Sequence, residues 1–336
     1  QKMRIKLVEV MLLGSSIENL SKGGSGSREK DYYESLRHKL DLHLFEYTND
    51  GNKWIFSVLQ PFKIFRQLNK NKFNLIRSKQ FYGSWSGFII SKLTGSKHII
   101  RCGYIWSKSF LLERKIKNKL IIKVIYYFEK FFMNLADGYI FCSDEILDAY
   151  MPIIRDRPYI VLPNYVDSKF FFPTNKSAAK DYVYIGRLID LKGCKESGEY
   201  IISKAKEDSS LFIGNGDLLD IIESMNIKVL QRVENYNLRD ILIEYKFFLS
   251  LSKTEGSPKA LFEAIFCGLV PVLSNIKVHR DIINDLGFGI LVDESGNEKK
   301  INNGEFNHKS FQNFVQKHDK LKHIKSEMEF FKNFVG

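Results

Sequence analysis

Two cations follow a predicted strand in residues 182–193, whose sequence is YVYIGRLIDLKG. The strand ends at Gly186, and Arg187 and Lys192 come in the loop after it. Cations at the carboxyl end of a strand can neutralise a diphosphate and stabilise the charge that grows on it as a bond breaks. The same pair also fits an ordinary solvated surface, so this segment alone leaves both interpretations open.

A helix start follows the predicted strand in residues 249–273. The loop after the strand contains Ser257, and the helix is predicted to begin with Pro258 in a favoured first-turn position. The backbone N–H groups of Lys259 and Ala260 would then point out of the helix start, where the helix dipole favours an anion. The segment therefore predicts a phosphate site.

Two carboxylates flank this helix start: Glu255 comes just before the helix, and Glu263 lies about one and a half turns into it. Carboxylates are poor phosphate ligands but good acceptors for sugar hydroxyls. A nucleotide sugar needs both kinds of contact side by side. The alternative is a capped helix with a solvated glutamate on each side.

Two further segments contain glycine turns. Residues 212–217 (FIGNGD) predict a strand, a turn at Gly214 and an N-capping Asp217, which suits either a close approach to a ligand or a structural turn. Gly23 and Gly24 lie in the first loop after a strand, where the backbone could approach a phosphate or a sugar. They lack the GxGxxG spacing of a dinucleotide site.

The elements that would position these residues form two successive strand–helix series. The first has strand-like runs at 1–14, 41–47, 54–59, 73–77, 97–102 and 138–142, with helical stretches that include 29–40 and 108–135. A break near 163–177 contains two prolines. The second has strands at 181–186, 209–213, 227–232, 246–251 and 269–273, with helices between them. This alternation predicts an α/β fold of two Rossmann-like, doubly wound domains with a ligand cleft.

The composition bounds the class of protein. The chain has 336 residues, 44% of them hydrophobic and 27% charged, which is enough for two globular domains with real cores. Its four cysteines are scattered singly, which argues against structural zinc and favours a reducing cytoplasm. Charges interrupt the apolar runs at 5–13 and 120–141, so neither reads as a signal peptide or a spanning helix.

The positive charge is unevenly placed. Residues 1–177 contain 29 Lys/Arg and 16 Asp/Glu, whereas residues 178–336 contain 22 and 23. Residues 53–130 contain 17 basic residues against only two acidic ones, Glu113 and Glu129. An excess of basic residues this large predicts an anionic partner. The alternative is that the basic residues only keep the chain soluble.

Taken together, the motifs resemble those of the retaining glycosyltransferases of family 4, which have the GT-B fold and an EX7E motif. The chain shows GRL…KG, then GNGD, then EGSPKALFEA…CGLVPV, with ADGYIFCS and LPNYVD…F upstream. The resemblance covers about residues 136–293 and reaches the N-terminal third only through the early Gly-Gly loop. It implies a nucleotide-sugar donor, either a UDP-sugar or a GDP-sugar.

The resemblance implies a role for each candidate residue. Arg187 and Lys192 would bind the donor diphosphate, Glu255 would hold hydroxyls of the transferred sugar, and Glu263 would hold the ribose. The other implied donor contacts are Gly23, Gly24, Gly214, Ser257, Pro258, Lys259 and Ala260. The implied domains are 1–170 for the acceptor and 171–315 for the donor, with a C-terminal helix at 316–336 that crosses back to the first domain.

The chain departs from the family pattern in places. Tyr165 stands where the family has Gly, and residues 256–258 (GSP) replace Gly-Phe. Many members also have a His after an N-terminal strand, where HIIRCGYIWSK provides Arg101 and Tyr104 instead. His98, at the start of that strand, is predicted to be a structural or surface residue.

The chemistry implied is metal-independent. No DxD triplet occurs in the sequence, and GT-B enzymes generally manage the leaving diphosphate with cations and a helix start. No metal or other cofactor is therefore expected. The acceptor hydroxyl would attack from the side on which the diphosphate leaves, and the leaving phosphate would take the proton, so the anomeric configuration is retained.

The acceptor is predicted from residues 105–133, which mix basic and aromatic side chains. Such a stretch suits an anionic membrane surface, or alternatively a core helix with a solvated basic face. The first interpretation predicts a glycan or lipid-linked saccharide acceptor, as in bacterial surface polysaccharide biosynthesis. It also predicts a cytoplasmic protein that is peripheral on the inner face of the cell membrane.

Three other functions stay open: a GT-B sugar-nucleotide epimerase, an inactive partner subunit and a basic nucleic-acid-binding protein. The last is disfavoured because the sequence contains no nucleic-acid-binding motif.

Overall fold

The computed structural model of the chain describes residues 5–10, 26–45, 53–68, 73–114, 116–174, 178–206, 208–304 and 306–335. Gly23 and Gly24, two of the predicted donor contacts, lie outside the described residues. The chain divides into two compact units. Unit 1 comprises Gln1–Pro163 with Ile324–Gly336, and unit 2 comprises Asn164–His323. What each unit binds stays a prediction.

Unit 1 has one parallel sheet, whose described strands have the order β2-β1-β3-β4-β5-β6. The strands are β1 Lys6–Val10, β2 Asp41–Phe45, β3 Leu75–Lys79, β4 Lys97–Cys102, β5 Gly138–Phe141 and β6 Tyr159–Val161. The helices are α1 Gly26–Arg37, α2 Lys53–Gln67, α3 Gln80–Thr94, α4 Trp106–Glu113, α5 Lys119–Met133 and α6 Asp144–Ile154.

The strand predicted at 54–59 is wrong, because these residues belong to helix α2. The apolar run WIFSVL resembles a buried strand when it is taken alone. The residues after it are buried at Gln60, Ile64 and Leu68, which is a four-residue spacing. That spacing is the period of a helix face, and it decides the conformation of the whole stretch.

The single helix predicted at 108–135 is in fact two helices, α4 and α5. Asn118 caps the second, since its side chain accepts hydrogen bonds from the backbone N–H groups of Leu120 at 2.9 Å and Ile121 at 3.3 Å. Asparagine is one of the residues preferred at this position. The cap lets α5 begin in a new direction.

Unit 2 has one sheet, whose described strands have the order β13-β12-β11-β10-β7-β8-β9, with only β12 and β13 antiparallel. The strands are β7 Lys180–Ile185, β8 Ser210–Ile213, β9 Lys228–Leu230, β10 Tyr245–Ser250, β11 Val270–Ser274, β12 Gly289–Val292 and β13 Glu298–Ile301. The helices are α7 Cys194–Lys204, α8 Leu219–Ser224, α9 Asn235–Leu242, α10 Lys259–Phe266, α11 Lys277–Leu286, α12 His308–His318 and α13 Lys320–Lys332, which continues into unit 1.

The two sheets confirm the predicted fold class. Each of the five strands predicted in unit 2 is present, with its ends within two residues of the prediction. Helices α10 and α11 pack on one face of this sheet around Leu261 and Ile283, and α7 and α8 pack on the other around Ile201 and Ile222. An apolar helix layer on both faces is the doubly wound arrangement.

Of the helices in the described ranges, none combines the length and the apolar character needed to span a bilayer. All four cysteines are buried and reduced.

His98 is a structural residue of unit 1, as predicted. Its ring is fully buried between the Ser78 hydroxyl, at 2.8 Å, and the Leu135 carbonyl oxygen, at 2.9 Å. Burial lowers the pKa of His98 to about 4. A Cβ on Gly87 would lie 2.4 Å from the ring, so the helix above it must have glycine there.

A buried charge cluster fastens α13 to the sheet of unit 1. Arg77 on β3 forms an ion pair with Glu327 on α13, and both side chains have at most 1% of their surface exposed. The hydroxyl of Tyr32 donates to the Glu327 carboxylate and accepts from Arg77 Nη1 at 2.7 Å. Removing one partner of such a pair leaves the other charge buried, which is expensive.

Glu327→Ala should therefore destabilise unit 1 by about 3–5 kcal/mol, because the Arg77 charge stays buried without its carboxylate. Urea denaturation followed by circular dichroism measures this change. Glu329→Ala is the matched control, since Glu329 is an exposed glutamate on the same helix. Equal unfolding midpoints for the two variants would show that the cluster does not hold α13 in place.

Candidate active site

The strand order of unit 2 reverses between β7 and β10, which lie side by side. From β7 the chain continues to β8 and β9 in one direction along the sheet, and from β10 to β11 and β12 in the other. Loops that diverge from two adjacent strands leave a crevice at their carboxyl ends, where ligands bind in open α/β sheets. The two predicted motifs, 186–193 and 251–258, follow these strands and are therefore neighbours.

Gly193 holds the loop after β7 against the end of β10. Its backbone is left-handed, with a φ of +57°, and a Cβ there would lie 1.9 Å from the carbonyl oxygen of Leu251. The backbone N–H of Lys253 also donates to the carbonyl oxygen of Leu191 at 3.1 Å. Only glycine permits this approach, which sets the position of the short 3-10 helix Asp190–Lys192.

An ion pair joins the two motifs. Lys192 Nζ lies 2.7 Å from Glu255 Oε1, and their side chains are 23% and 10% exposed. The buried hydroxyl of Ser252 donates to the same carboxylate oxygen at 2.8 Å. A partly buried pair with an additional hydrogen bond is better ordered than a surface salt bridge. The structure thus brings together two of the three predicted catalytic side chains.

Arg187, the third predicted catalytic residue, is exposed at the end of β7. The hydroxyl of Tyr184 lies 3.2 Å from the Arg187 carbonyl oxygen and 3.3 Å from that of Lys192. Burial raises the pKa of Tyr184, and of the nearby charges Glu255 raises it further whereas Arg187 lowers it. Both charges therefore act electrostatically on the same hydroxyl group, and a diphosphate contact of Arg187 stays a prediction.

Helix α10 begins at Lys259, and Pro258 is its N-cap instead of its first residue, so that detail of the prediction is wrong by one position. Proline lacks the side-chain acceptor of an ordinary cap, and no side chain caps the helix from this position. The first intrahelical hydrogen bond runs from Phe262 N to the Pro258 carbonyl oxygen at 3.2 Å. The amides of Lys259 and Ala260 thus lie in the first turn, where helix amides serve acceptors outside the helix.

Ser257 has a structural partner. Its hydroxyl accepts from the backbone N–H of Asn164 at 2.8 Å, and its carbonyl oxygen accepts from the Asn164 side chain. These contacts tie the first residues of unit 2 to the loop before α10. The predicted donor contact of Ser257 stays a prediction, to which the structure adds an anchoring role.

Glu263 lies in the middle of α10 and is only 1% exposed. Burial, together with the smaller effect of the nearby Glu263 carboxylate, raises the pKa of the Cys267 thiol to about 12. The contact of Glu263 with a ribose stays a prediction.

Gly214 and its turn pack against the loop after β7. A Cβ on Gly214 would lie 1.8 Å from the Gly186 carbonyl oxygen, and Leu188 N donates to the Asn215 carbonyl oxygen at 2.9 Å. The turn is therefore structural at this point, and a ligand contact of Gly214 stays a prediction. Asp217 is not the N-cap, since α8 begins at Leu219 after Leu218.

Three positioning residues were missed by the sequence reasoning: Tyr184, Ser252 and the side chain of Asn164. Ser252 gave a signal, because it is a serine at the end of an otherwise buried apolar strand. Tyr184 gave none, since a tyrosine in a strand is ordinary core material.

A groove of about 930 Å³ lies next to the candidate site, at the carboxyl ends of β10, β11 and β12. It is lined by Ser252 and Lys253 together with Tyr200, Asn275 and Asp293, among others, but by none of the predicted site residues. The candidate site is thus defined by loop contacts and not by this groove. Across the described ranges, no group of three or more His, Cys, Asp or Glu side chains is arranged to hold a metal ion.

Residues 167–304 match the family model described as "Glycosyl transferases group 1". This segment contains both loops of the candidate site. The match and the two doubly wound sheets define the class of protein: the chain is a glycosyltransferase with the GT-B fold, a transferase of the class EC 2.4.

Two named proteins are similar to this chain in sequence. A UDP-Gal:alpha-D-GlcNAc-diphosphoundecaprenol alpha-1,3-galactosyltransferase of Escherichia coli is 22% identical over 90% of this chain and 87% of its own length. TuaC of Bacillus subtilis (strain 168), named for teichuronic acid biosynthesis, is 32% identical over 25% of this chain, a segment that spans only 21% of that relative.

Solved structures share the fold. Sucrose-phosphate synthase of Thermosynechococcus elongatus superposes with a TM-score of 0.74 at 12% identity, over 98% of both chains. The lipopolysaccharide outer core galactosyltransferase WaaB gives 0.67 at 14% identity, over 98% of this chain and 99% of its own. Anabaena HepE, solved with UDP, gives 0.67 at 14% identity, over 98% and 100%.

Gly193→Ala should destabilise unit 2 by more than the roughly 1–2 kcal/mol that a left-handed alanine costs, because its Cβ meets the Leu251 carbonyl. Gly296→Ala is the matched control, since its φ is +81° but nothing lies within 4 Å of a Cβ there. Urea denaturation of both variants separates the clash from the backbone cost. Equal destabilisation would mean that the loop adapts without strain.

Proposed function

We propose that this glycosyltransferase is a retaining enzyme of the family 4 type. It moves a sugar from a UDP-sugar or a GDP-sugar to a lipid-linked saccharide or glycan in the biosynthesis of a bacterial surface polysaccharide. The observation that carries the proposal is the Lys192–Glu255 ion pair at the switch point of the unit 2 sheet, directly before the start of α10.

The donor diphosphate is proposed to lie between the loop after β7 and the first turn of α10. Arg187 offers an exposed guanidinium, and the amides of Lys259 and Ala260 offer N–H groups in the first turn of a helix. Cations and helix-start amides are both groups that proteins use to bind phosphates. A diphosphate in this position would accept hydrogen bonds from both kinds of group.

Lys192 is proposed to change partners when the donor binds. In the structure its ammonium neutralises Glu255 at 2.7 Å. A neighbouring diphosphate brings more negative charge and draws the ammonium toward itself. The Glu255 carboxylate, still held by Ser252, then accepts hydrogen bonds from hydroxyls of the transferred sugar. Glu263 lies one turn after Lys259 along α10, which would place a ribose beside the phosphates.

The chemistry follows from these positions. The bond between the anomeric carbon and the diphosphate oxygen breaks, and Arg187 and Lys192 stabilise the charge that grows on the leaving oxygen. The acceptor hydroxyl forms the new bond on the same face, and its proton passes to the leaving diphosphate. This sequence needs no separate base and no metal ion, and it retains the anomeric configuration.

The acceptor class is supported by the named relatives. The Escherichia coli relative is named for a diphosphoundecaprenol-linked acceptor, and the Bacillus subtilis relative for teichuronic acid biosynthesis. The first of these names gives a saccharide linked to a lipid diphosphate as the acceptor. A lipid-linked acceptor would place the enzyme at the cytoplasmic face of the cell membrane.

Arg187→Ala should lower kcat/KM for sugar transfer by the equivalent of about 2–4 kcal/mol of transition-state stabilisation, as the loss of one oxyanion donor does. Steady-state kinetics with the cognate donor measures the effect. Arg280→Ala is the matched control, because Arg280 is an exposed arginine of unit 2 whose guanidinium donates to Asn275. Normal turnover by Arg187→Ala would remove Arg187 from the site.

Calorimetric titration with UDP-, GDP- and ADP-sugars should show binding of a UDP-sugar or a GDP-sugar that weakens in Glu255→Gln. The product formed from that donor should keep the anomeric configuration of the donor in its NMR spectrum, and chelation of divalent metals with EDTA should leave the rate unchanged. An inverted product would disprove the retaining mechanism while the transferase class stands. Conversion of the donor without any acceptor would instead indicate an epimerase.

A further inference from the structure

Helix α5 is held in one rotation about its axis by its inner face. Ile125, Glu129 and Met133 are buried at intervals of four residues. Glu129 accepts a hydrogen bond from the Ser107 backbone N–H at 3.1 Å and another from the Tyr150 hydroxyl. A buried carboxylate with two donors resists rotation of the helix, so the opposite side must face outward.

That outward side is also apolar. Leu120, Val124, Tyr127 and Phe131 are 71%, 61%, 56% and 53% exposed. Their spacing of four, three and four residues follows one line along a helix, opposite the buried line. The stripe is about 17 Å long at 1.5 Å per residue. An amphipathic surface helix would have polar side chains here, so a second apolar face indicates a partner.

The margins of the stripe are basic and apolar. Lys119, Lys123 and Lys130 follow one margin, and Lys123 Nζ lies 6.0 Å from the centre of the Tyr127 ring. Ile121 and Phe128 follow the other, at 46% and 49% exposure. Glu129, the one acidic residue in the α5 sequence, is on the buried face. The outward face therefore combines positive charge with apolar and aromatic side chains and contains no carboxylate.

Two neighbouring helices also expose apolar side chains. Helix α3 contacts both α2 and α5, so the three form one layer. Phe62 on α2 and Leu93 on α3 are 51% and 45% exposed.

We propose that the outward face of α5 docks on an anionic lipid membrane, with the stripe in the interface and the three lysines on lipid phosphates. Lipid offers both an apolar medium and negative charge, which matches both parts of the face. A second copy of the chain fits less well. In a two-fold interface the same face of both copies meets, so the lysines would lie in the interface without any acidic partner. The purpose of docking, which is access to a lipid-linked acceptor, rests on the proposed function.

Co-sedimentation of the full chain with vesicles tests the docking face. The chain should bind vesicles made of phosphatidylcholine and phosphatidylglycerol. It should bind only weakly to vesicles made of phosphatidylcholine without an anionic lipid. The double variant Leu120→Ser/Val124→Ser should bind the anionic vesicles about tenfold more weakly, since two apolar side chains no longer enter the interface. Ile202→Ser is the matched control, because Ile202 is 59% exposed on α7 of unit 2; it should bind as the unmodified chain does.

Replacement of the three lysines by glutamine should weaken binding to anionic vesicles roughly a hundredfold, at about 1 kcal/mol for each lysine near the surface. Binding should also weaken as salt is added.

All four native cysteines are buried, so Tyr127→Cys can be labelled selectively with an environment-sensitive fluorophore. Its emission should shift to the blue on anionic vesicles, whereas a label on Ile202→Cys should not respond.

Three results would overturn the proposal: binding that ignores lipid charge, unaltered binding by the double serine variant, or a dimer in sedimentation velocity that the same variant dissociates. Donor titration on the same preparations keeps this test separate from the proposed function. A chain that binds the nucleotide sugar but no membrane would disprove the docking face alone. A chain that binds membrane but no nucleotide sugar would disprove the proposed function alone.

Discussion

The contact between Lys192 and Glu255 depends on a constraint of parallel sheets: strands β7 and β10 are hydrogen-bonded neighbours, so the loops that leave their carboxyl ends must meet. Sixty-three residues separate the two side chains in sequence. Gly193 makes the meeting possible, since any side chain there would collide with the Leu251 carbonyl. Ser252 then holds the Glu255 carboxylate through a hydrogen bond. The site is thus a consequence of strand order first and of side-chain chemistry second.

The polar contacts around this pair share one feature, which is that each joins a loop to a strand end or to a helix start. Tyr184 holds the carbonyl groups of the loop after β7, and Asn164 holds Ser257 before α10. Preorganised groups lose little free energy when a charged ligand arrives, because they do not need to be ordered again. A lysine already paired with a glutamate can exchange one anion for another without becoming exposed as an isolated charge. This property suits the proposed exchange of a diphosphate at this site.

The two halves of the chain differ in net charge and in the apolar side chains that their helices expose. The half that includes most of unit 2 is close to neutral, and its described helices bury their apolar faces against one sheet. Residues 1–177 carry the positive excess, and helix α5 shows apolar side chains on two opposite faces. Burial of Glu129 explains why this surface lacks negative charge, since that carboxylate caps the start of α4 from inside. Fold stability and surface character are therefore set by the same residue.

Sequence alone determined the α/β class, the five strands predicted in unit 2 and the identity of the cations and carboxylates, because local periodicity and residue chemistry do not depend on distant partners. It misplaced 54–59 as a strand, since the four-residue spacing that decides the helix comes after that run. It also missed the break before α5, although Asn118 signals it. Only the tertiary structure decided that Lys192 pairs with Glu255, that Ser257 is held by Asn164 and that Glu327 returns to Arg77 of unit 1. These are contacts between residues far apart in the chain, and they follow from strand order and packing, which no local pattern encodes.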